Sequence, residues 1–226
     1  MQLTADESRV LGVLVEKSLT TPDQYPLSLN AVVNGANQKN NREPVIAMDD
    51  GRAFDALEGL RTKGLVVRAD MAGSRVNKFR HQAGEGLHVR TAELALVAEL
   101  LLRGPQTVGE LRGRASRMSP FESIEAVKSM LTALMQRDEP LVKDLPPSPG
   151  SRAERYVQLL CPDLHPLDAP AAAVDTAPRG DAILTDRVRS LESEVAMLKD
   201  ALRLLAASMG QPDPVTSAVA PGVSAE

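Results

Sequence analysis

Amide side chains recur at helical spacing near the start of the chain. Asn30, Asn34, Asn37 and Asn41 lie at i, i+4, i+7 and i+11, which places them on one helical face. Asn and Gln can bond adenine edges and Lys and Arg can hold phosphates, so this segment is a candidate nucleic-acid contact surface, comprising Asn34, Asn37, Gln38, Lys39, Asn41 and Arg42. The alternative, which we favour, is that the amides bond to loop backbone around residues 40–45.

A second basic group falls in a predicted β-hairpin. Arg68, Arg75, Lys78 and Arg80, set against Asp70, give a local charge of +3, which suits phosphate contact beside a groove. An equally good interpretation is a solvated hairpin whose charges serve solubility.

The sequence offers no catalytic constellation. It contains no Gly-rich phosphate loop, no Gly-x-Ser-x-Gly and no paired His and Glu on one helix. The single Cys161 cannot form an internal disulfide, and the three histidines lack the spacing of zinc ligands. The pair Asp49-Asp50 lies at the start of a predicted helix, where carboxylates cap the helix and interact favourably with its dipole. We therefore expect no enzyme activity, cofactor, metal or small-molecule ligand.

The elements that must position these groups follow a repeating order. Apolar spacing predicts helices from Thr4 to Leu19, after Ser28, and from about Met48 to Lys63, followed by two strands around the turn at 69–74. Three helices and a hairpin are the winged-helix order. The same order recurs, with a helix ending at Gly104, a second capped by Thr107, a third from Pro120 to Arg137 and a second hairpin.

The predicted fold class is thus mainly α with small β-hairpins, built as two tandem winged-helix domains plus a C-terminal coiled-coil helix. The expected first domain covers residues 1–86 and the second 87–162, each burying its own three-helix apolar face. Residues 163–180, rich in Pro and Ala, are predicted to be a flexible linker, 181–209 the coiled-coil helix, and 210–226 a disordered tail.

The coiled-coil prediction rests on the most regular pattern in the chain. Apolar residues follow one another at alternating spacings of four and three, as in the heptad repeat of a coiled coil. Leucine occupies every d position of the heptad, and a β-branched residue occupies two of the three a positions, which favours a parallel dimer. The predicted dimerisation residues are Leu184, Val188, Leu191, Val195, Leu198, Leu202 and Leu205. The alternative is an amphipathic helix that folds back on its own domain, since about three heptads are marginal in isolation.

Charge and hydropathy limit the setting and the partners. The net charge of −4 resides in residues 166–226, which hold five basic and nine acidic groups, so residues 1–165 are neutral overall. Nucleic-acid binding must therefore depend on local patches. The first residues are charged and no segment reaches the ~20 apolar residues of a membrane span, so a cytoplasmic protein with no membrane contact is expected.

Eight runs of the sequence carry a resemblance to a known family, at 11–17, 20–30, 37–44, 63–66, 75–81, 103–107, 109–112 and 149–152. They closely resemble the YceH family of uncharacterised bacterial proteins, and the resemblance covers about residues 5–165. It implies two winged-helix domains. The family has no established activity to carry over, so the resemblance leaves the function open.

Two functional hypotheses remain. The leading one is a dimeric DNA-binding protein with a role in transcriptional regulation, whose first hairpin and amide segment approach the duplex. The second is a protein-interaction scaffold, because tandem winged-helix dimers also resemble accessory subunits of chromosome-organising complexes. The third helix, normally the groove reader, opens with Asp49, Asp50 and Asp55, which favours the second hypothesis.

Overall fold

The computed structural model describes residues 1–69, 77–147 and 153–165. Its helices are α1 (Ala5–Thr20), α2 (Leu29–Ala36), α3 (Asp50–Thr62), α4 (Ala83–Gly86), α5 (Thr91–Arg103), α6 (Val108–Ala115) and α7 (Ile124–Met135). Its strands are β1 (Leu27–Ser28), β2 (Val66–Ala69), β3 (Lys78–His81), β4 (Gln106–Thr107), β5 (Val142–Leu145) and β6 (Arg155–Gln158). The protein is mainly helical with small antiparallel sheets, as the sequence predicts.

Side-chain caps fix where most of the long helices begin. Thr4 and Thr107 each form a capping box, with Glu7 and Glu110 respectively, and so satisfy backbone N–H groups that a helix cannot satisfy internally. Single oxygens of Ser28, Asp49 and Ser123 cap α2, α3 and α7. The predicted capping role of Asp49 is confirmed: its Oδ1 accepts from the backbone N–H of Arg52 at 2.8 Å.

Each hairpin belongs to a three-stranded sheet. The strand orders are β1-β3-β2 and β4-β6-β5, and every pairing is antiparallel. The buried pair Leu27 and Phe79 joins β1 to β3, and Gln106 and Tyr156 are the equivalent pair in the second sheet. The hairpins are as predicted, whereas β1 and β4 were not predicted, because two residues that end at a helix cap carry no strand periodicity of their own.

Two further differences concern helices. The short α4 was not predicted, and α7 begins at Ile124 instead of Pro120. The later start has a local cause: the side chain of Ser123 accepts from the backbone N–H of Ala126 at 3.0 Å, which caps the helix there.

The order helix, strand, helix, helix, strand, strand occurs twice, which defines a first repeat (α1 to β3) and a second repeat (α5 to β6). The sequence predicts that each domain buries its own three-helix apolar face, but in the structure the two repeats also pack against each other. Their buried side chains form one contiguous cluster within one compact unit. α1 and α5 are each buried on all sides over most of their length, and they pack against each other at the centre.

The contact between α1 and α5 is close because a glycine lies in it. A Cβ placed on Gly12 would come within 2.8 Å of Cγ of Leu102. Backbone hydrogen bonds also cross between the repeats, from Glu43 to the carbonyl of Leu102 and from Leu3 to that of Leu160. The two repeats are therefore joined by backbone hydrogen bonds as well as by side-chain packing.

Candidate recognition surfaces

The amide segment mostly serves the fold. The side chain of Asn37 donates to the carbonyl of Met48 at 2.8 Å and accepts from its N–H at 2.7 Å, which fastens the end of α2 to the start of α3. Asn34 donates to Asn30 at 3.2 Å across one helical turn, and both are exposed. Amide bonding to backbone, the interpretation favoured from sequence, thus holds for Asn37, although its partner lies beyond the expected loop.

Arg42, which the sequence predicts to be a nucleic-acid contact, is not a surface residue. Its side chain is fully buried and forms a bidentate pair with Glu16 of α1, with Nη2 2.5 Å and Nη1 3.3 Å from the two carboxylate oxygens. It also donates to the carbonyl of Gly35 and to the side chain of Gln38. A buried guanidinium must bond its N–H donors to acceptors inside the protein. Neither Arg42 nor the side-chain oxygen of Gln38 is therefore free to bind an outside ligand.

Of the remaining candidates in this segment, Lys39 and Asn41 are exposed. Asn41 has a backbone φ of 63°, a left-handed conformation that Asn tolerates better than most residues. This turn directs Arg42 inward immediately afterwards.

In the first hairpin, Arg68 is partly neutralised, because its Nη2 lies 2.8 Å from Oε1 of Glu58 on α3. Lys78 is half-buried and Arg80 is exposed on β3. Burial lowers the pKa of the neighbouring His81 to about 4, so that ring adds no positive charge near neutral pH. Arg75 lies outside the described residues. The described part of this hairpin is therefore less basic than its sequence indicates.

The third helices of the two repeats expose large apolar side chains. Phe54 on α3 is 40% exposed and Ile124 at the start of α7 is 47% exposed. Exposed carboxylates lie beside them in sequence, at Asp50 and Asp55 on α3 and at Glu125 on α7. Apolar side chains ringed by polar groups are typical of protein interfaces. A helix that reads DNA presents polar and basic groups at such positions.

A network of buried charges joins the repeats, and sequence reasoning missed it. Glu16 on α1 and Glu99 on α5 are 1% and 0% exposed, and Arg117 after α6 bonds to both, with Nη2 3.0 Å from Glu99. Arg103 lies 3.1 Å from the other oxygen of Glu99. One feature of the sequence could have indicated this network. Glu16 and Glu99 occupy the same position in the two repeats, five residues after Leu11 and Leu94 respectively.

Burial by itself would raise the pKa of Glu16, but the hydrogen bonds and charges of Arg42 and Arg117 outweigh burial and lower it. Burial likewise opposes the charge of Arg117, yet Glu16 and Glu99 raise its pKa. Glu16 and Arg117 therefore stay ionised at neutral pH, and their ion pair joins the two repeats.

The dimerisation residues Leu184, Val188, Leu191, Val195, Leu198, Leu202 and Leu205 lie outside the described residues. Within residues 1–69, 77–147 and 153–165, no three His, Cys, Asp or Glu side chains are grouped as a metal site would need. In the same part of the chain, no helix has the length and apolar character needed to span a bilayer.

The fold and its surfaces define a mainly helical protein of two α-plus-β repeats joined by a buried charge network. The model of the family described as "Protein of unknown function, DUF480" matches residues 3–151, and the chain belongs to that family. The family resemblance inferred from the sequence is thereby confirmed.

Relatives extend this similarity over most of the chain. A UPF0502 protein of Pelobacter propionicus is 48% identical over 207 residues, covering 88% of this chain and 94% of its own. A UPF0502 protein of Geobacter sulfurreducens is 46% identical, with 85% and 88% covered. One of Shewanella oneidensis is 41% identical, with 92% and 100% covered.

Proposed function

We propose that this protein is a non-catalytic scaffold of two winged-helix units whose third helices bind a protein partner. The element order of each repeat matches the winged-helix order of three helices and a hairpin. The observation that carries the proposal is the exposure of Phe54 on α3 and Ile124 on α7. In protein interfaces, a few large side chains that become buried on binding supply most of the binding free energy.

The charge beside these anchors indicates the chemistry of the partner. Asp50 and Asp55 lie on the exposed face of α3, and Glu125 follows Ile124. On α3 the nearby cation, Arg52, is already bonded to Asp6 through two hydrogen bonds of 2.9 and 2.6 Å, whereas on α7 the exposed Lys128 lies one turn after Ile124. The partner segment that complements α3 therefore carries basic residues around an apolar side chain.

The test places a photo-crosslinking residue at position 54 or 124 of the full chain in cells. The matched control position is Val45, which is 56% exposed and lies outside both helices. We expect a discrete protein adduct from positions 54 and 124 that is absent from position 45. The adduct from position 54 should also disappear when Asp55→Lys reverses the adjacent charge. Equal adducts at all three positions, or adducts that ignore this reversal, contradict the proposal.

A second candidate function is DNA binding, and the exposed Lys39 and Arg80, together with Lys78, favour it. No carboxylate partner is recorded for these three side chains among the described residues, so they can meet phosphates. Fluorescence anisotropy with random duplex DNA decides between the two. Micromolar binding that falls steeply with salt and weakens in Arg80→Ala supports DNA, and no binding at low salt removes it.

We also propose that the chain is a homodimer. This rests on the heptads at 184–205, in which Arg187 would face Glu192 and Glu194 would face Lys199 of a partner. A dimer would present two copies of each third helix, and so raise the avidity for a partner with repeated binding segments.

A further inference from the structure

A cavity of about 240 Å³ lies where the two repeats meet. It is lined by Asn41, Arg42 and Glu43 from the first repeat and by Arg103 and Arg114 from the second. Three guanidinium groups and one carboxylate line it, and the three arginines also pair with Glu16, Glu99 and Glu110, which are not among its lining residues. Its volume is below the ~300 Å³ at which pockets for drug-sized molecules begin, so it suits a small ligand.

The arginines of this cavity differ in how fully they are bonded. Arg42 is saturated by Glu16 and by backbone carbonyls. Arg114 donates to Gln106 at 2.9 Å and pairs with Glu110 at 3.3 Å.

Arg103 is the under-bonded member. Its Nε is buried and lies 3.1 Å from a carboxylate oxygen of Glu99, but without hydrogen-bonding alignment. That carboxylate is shared with Arg117 through its other oxygen. Arg103 therefore keeps donors that its neighbours in the described chain do not satisfy.

The electrostatics around Arg103 also favour an added anion. Burial lowers the pKa of Arg103; Glu99 acts in the opposite direction, and the charges of Arg114, Arg117 and Arg42 add to the lowering. A cation that is partly desolvated among other cations gains from a nearby negative charge. Arginine forks match the geometry of phosphate oxygens.

We propose that this cavity, which we name the junction cavity, is a binding site for a small phosphate-bearing dianion held by Arg103 and Arg114. The anion joins the loop at 41–43 to α5 and α6, so it stabilises the packing of the two repeats. This site is separate from the third-helix surfaces and does not depend on the function proposed for them.

The first test is calorimetric titration of the full chain with inorganic phosphate at fixed ionic strength, with chloride as the balancing salt. We expect saturable binding with Kd below about 1 mM, which corresponds to about −4 kcal/mol. Arg103→Gln and Arg114→Gln should each weaken binding about tenfold or more, as charge-assisted bonds to phosphate require. The matched control Arg80→Gln removes the same charge from β3 and should leave Kd unchanged.

A variant that binds phosphate more tightly tests the proposal in a way that misfolding cannot imitate, because misfolding would only weaken binding. Glu43 is exposed and is the carboxylate that lines the cavity. Glu43→Gln removes its repulsion and should tighten phosphate binding about threefold or more. A nucleoside monophosphate and a short oligonucleotide form the comparison arms. No saturable binding, equal binding by Arg103→Gln, preference for the oligonucleotide over phosphate, or a Glu43→Gln variant that binds no more tightly would each overturn the proposal.

Discussion

Replacing Glu16 with glutamine tests the charge network that joins the repeats. Glu16 is buried and serves two guanidinium groups, Arg42 and Arg117. The substitution preserves volume but leaves Arg42, whose side chain is fully buried, beside a neutral amide. Removing one member of a buried ion pair costs about 3–5 kcal/mol. The glutamine oxygen can still accept one hydrogen bond and Arg117 keeps Glu99, so we expect about 3 kcal/mol.

Urea unfolding at pH 7 measures this loss. Because urea slopes are about 1–3 kcal/mol per molar for small proteins, the midpoint should fall by about 1 M or more. The pH dependence gives a second check. The pKa of Glu16 in the folded protein is lowered from its ordinary value of 4.5. Its stabilisation is therefore fully present above pH 4.5 and is lost as pH falls through the lower folded value. The gap between wild type and Glu16→Gln should narrow in that range.

The matched control is Asp6→Asn, which removes another carboxylate with two bonds to an arginine. Asp6 and Arg52 are 28% and 47% exposed, and exposed pairs contribute about 1 kcal/mol or less. If Glu16→Gln costs no more than Asp6→Asn, or if its cost is independent of pH below 4.5, the network does not hold the repeats together as argued.

Three further predictions concern packing, the amide segment and assembly. Gly12→Ala should lower the free energy of unfolding in urea by about 1–3 kcal/mol because its methyl group meets a buried leucine of α5. The control Gly113→Ala, which has open space around it, should raise that free energy by about 0.5–1 kcal/mol. Equal effects of the two substitutions would contradict the close approach of α1 and α5. Asn37→Ala should cost about 1–3 kcal/mol by leaving the backbone before α3 unbonded, against less than about 0.5 kcal/mol for the exposed Asn34→Ala. Light scattering should give a dimer mass for the wild-type chain and a monomer mass for Leu191→Lys; a monomeric wild type would refute the heptad interpretation.

The fate of the amide segment shows where sequence reasoning reaches its limit. Ser28 correctly marks the start of α2 in the sequence. The same reasoning assigned Asn37, Gln38 and Arg42 together to one outward surface. The partners of Asn37 and Arg42 lie at Met48 and Glu16, 11 and 26 residues away along the chain. Spacing along one segment cannot reveal which distant group will meet a side chain.

The helices, their caps and the hairpins follow from the sequence because each depends on contacts within a few residues. Capping bonds join residues three apart, and Gly64 ends the region of α3 with a φ of 71° that glycine adopts readily. Apolar periodicity then states which face of each helix is buried. It does not show which other element covers that face.

Only the tertiary structure decided that the two repeats share one core. That outcome depends on α1 and α5 both being apolar on faces that their own repeats do not cover, and on Gly12 permitting close contact. It also decided that Glu16, Arg42, Glu99 and Arg117 become a buried network. Desolvation and pairing act over distances in space, so charges far apart in the chain acquire their roles only when the repeats pack together.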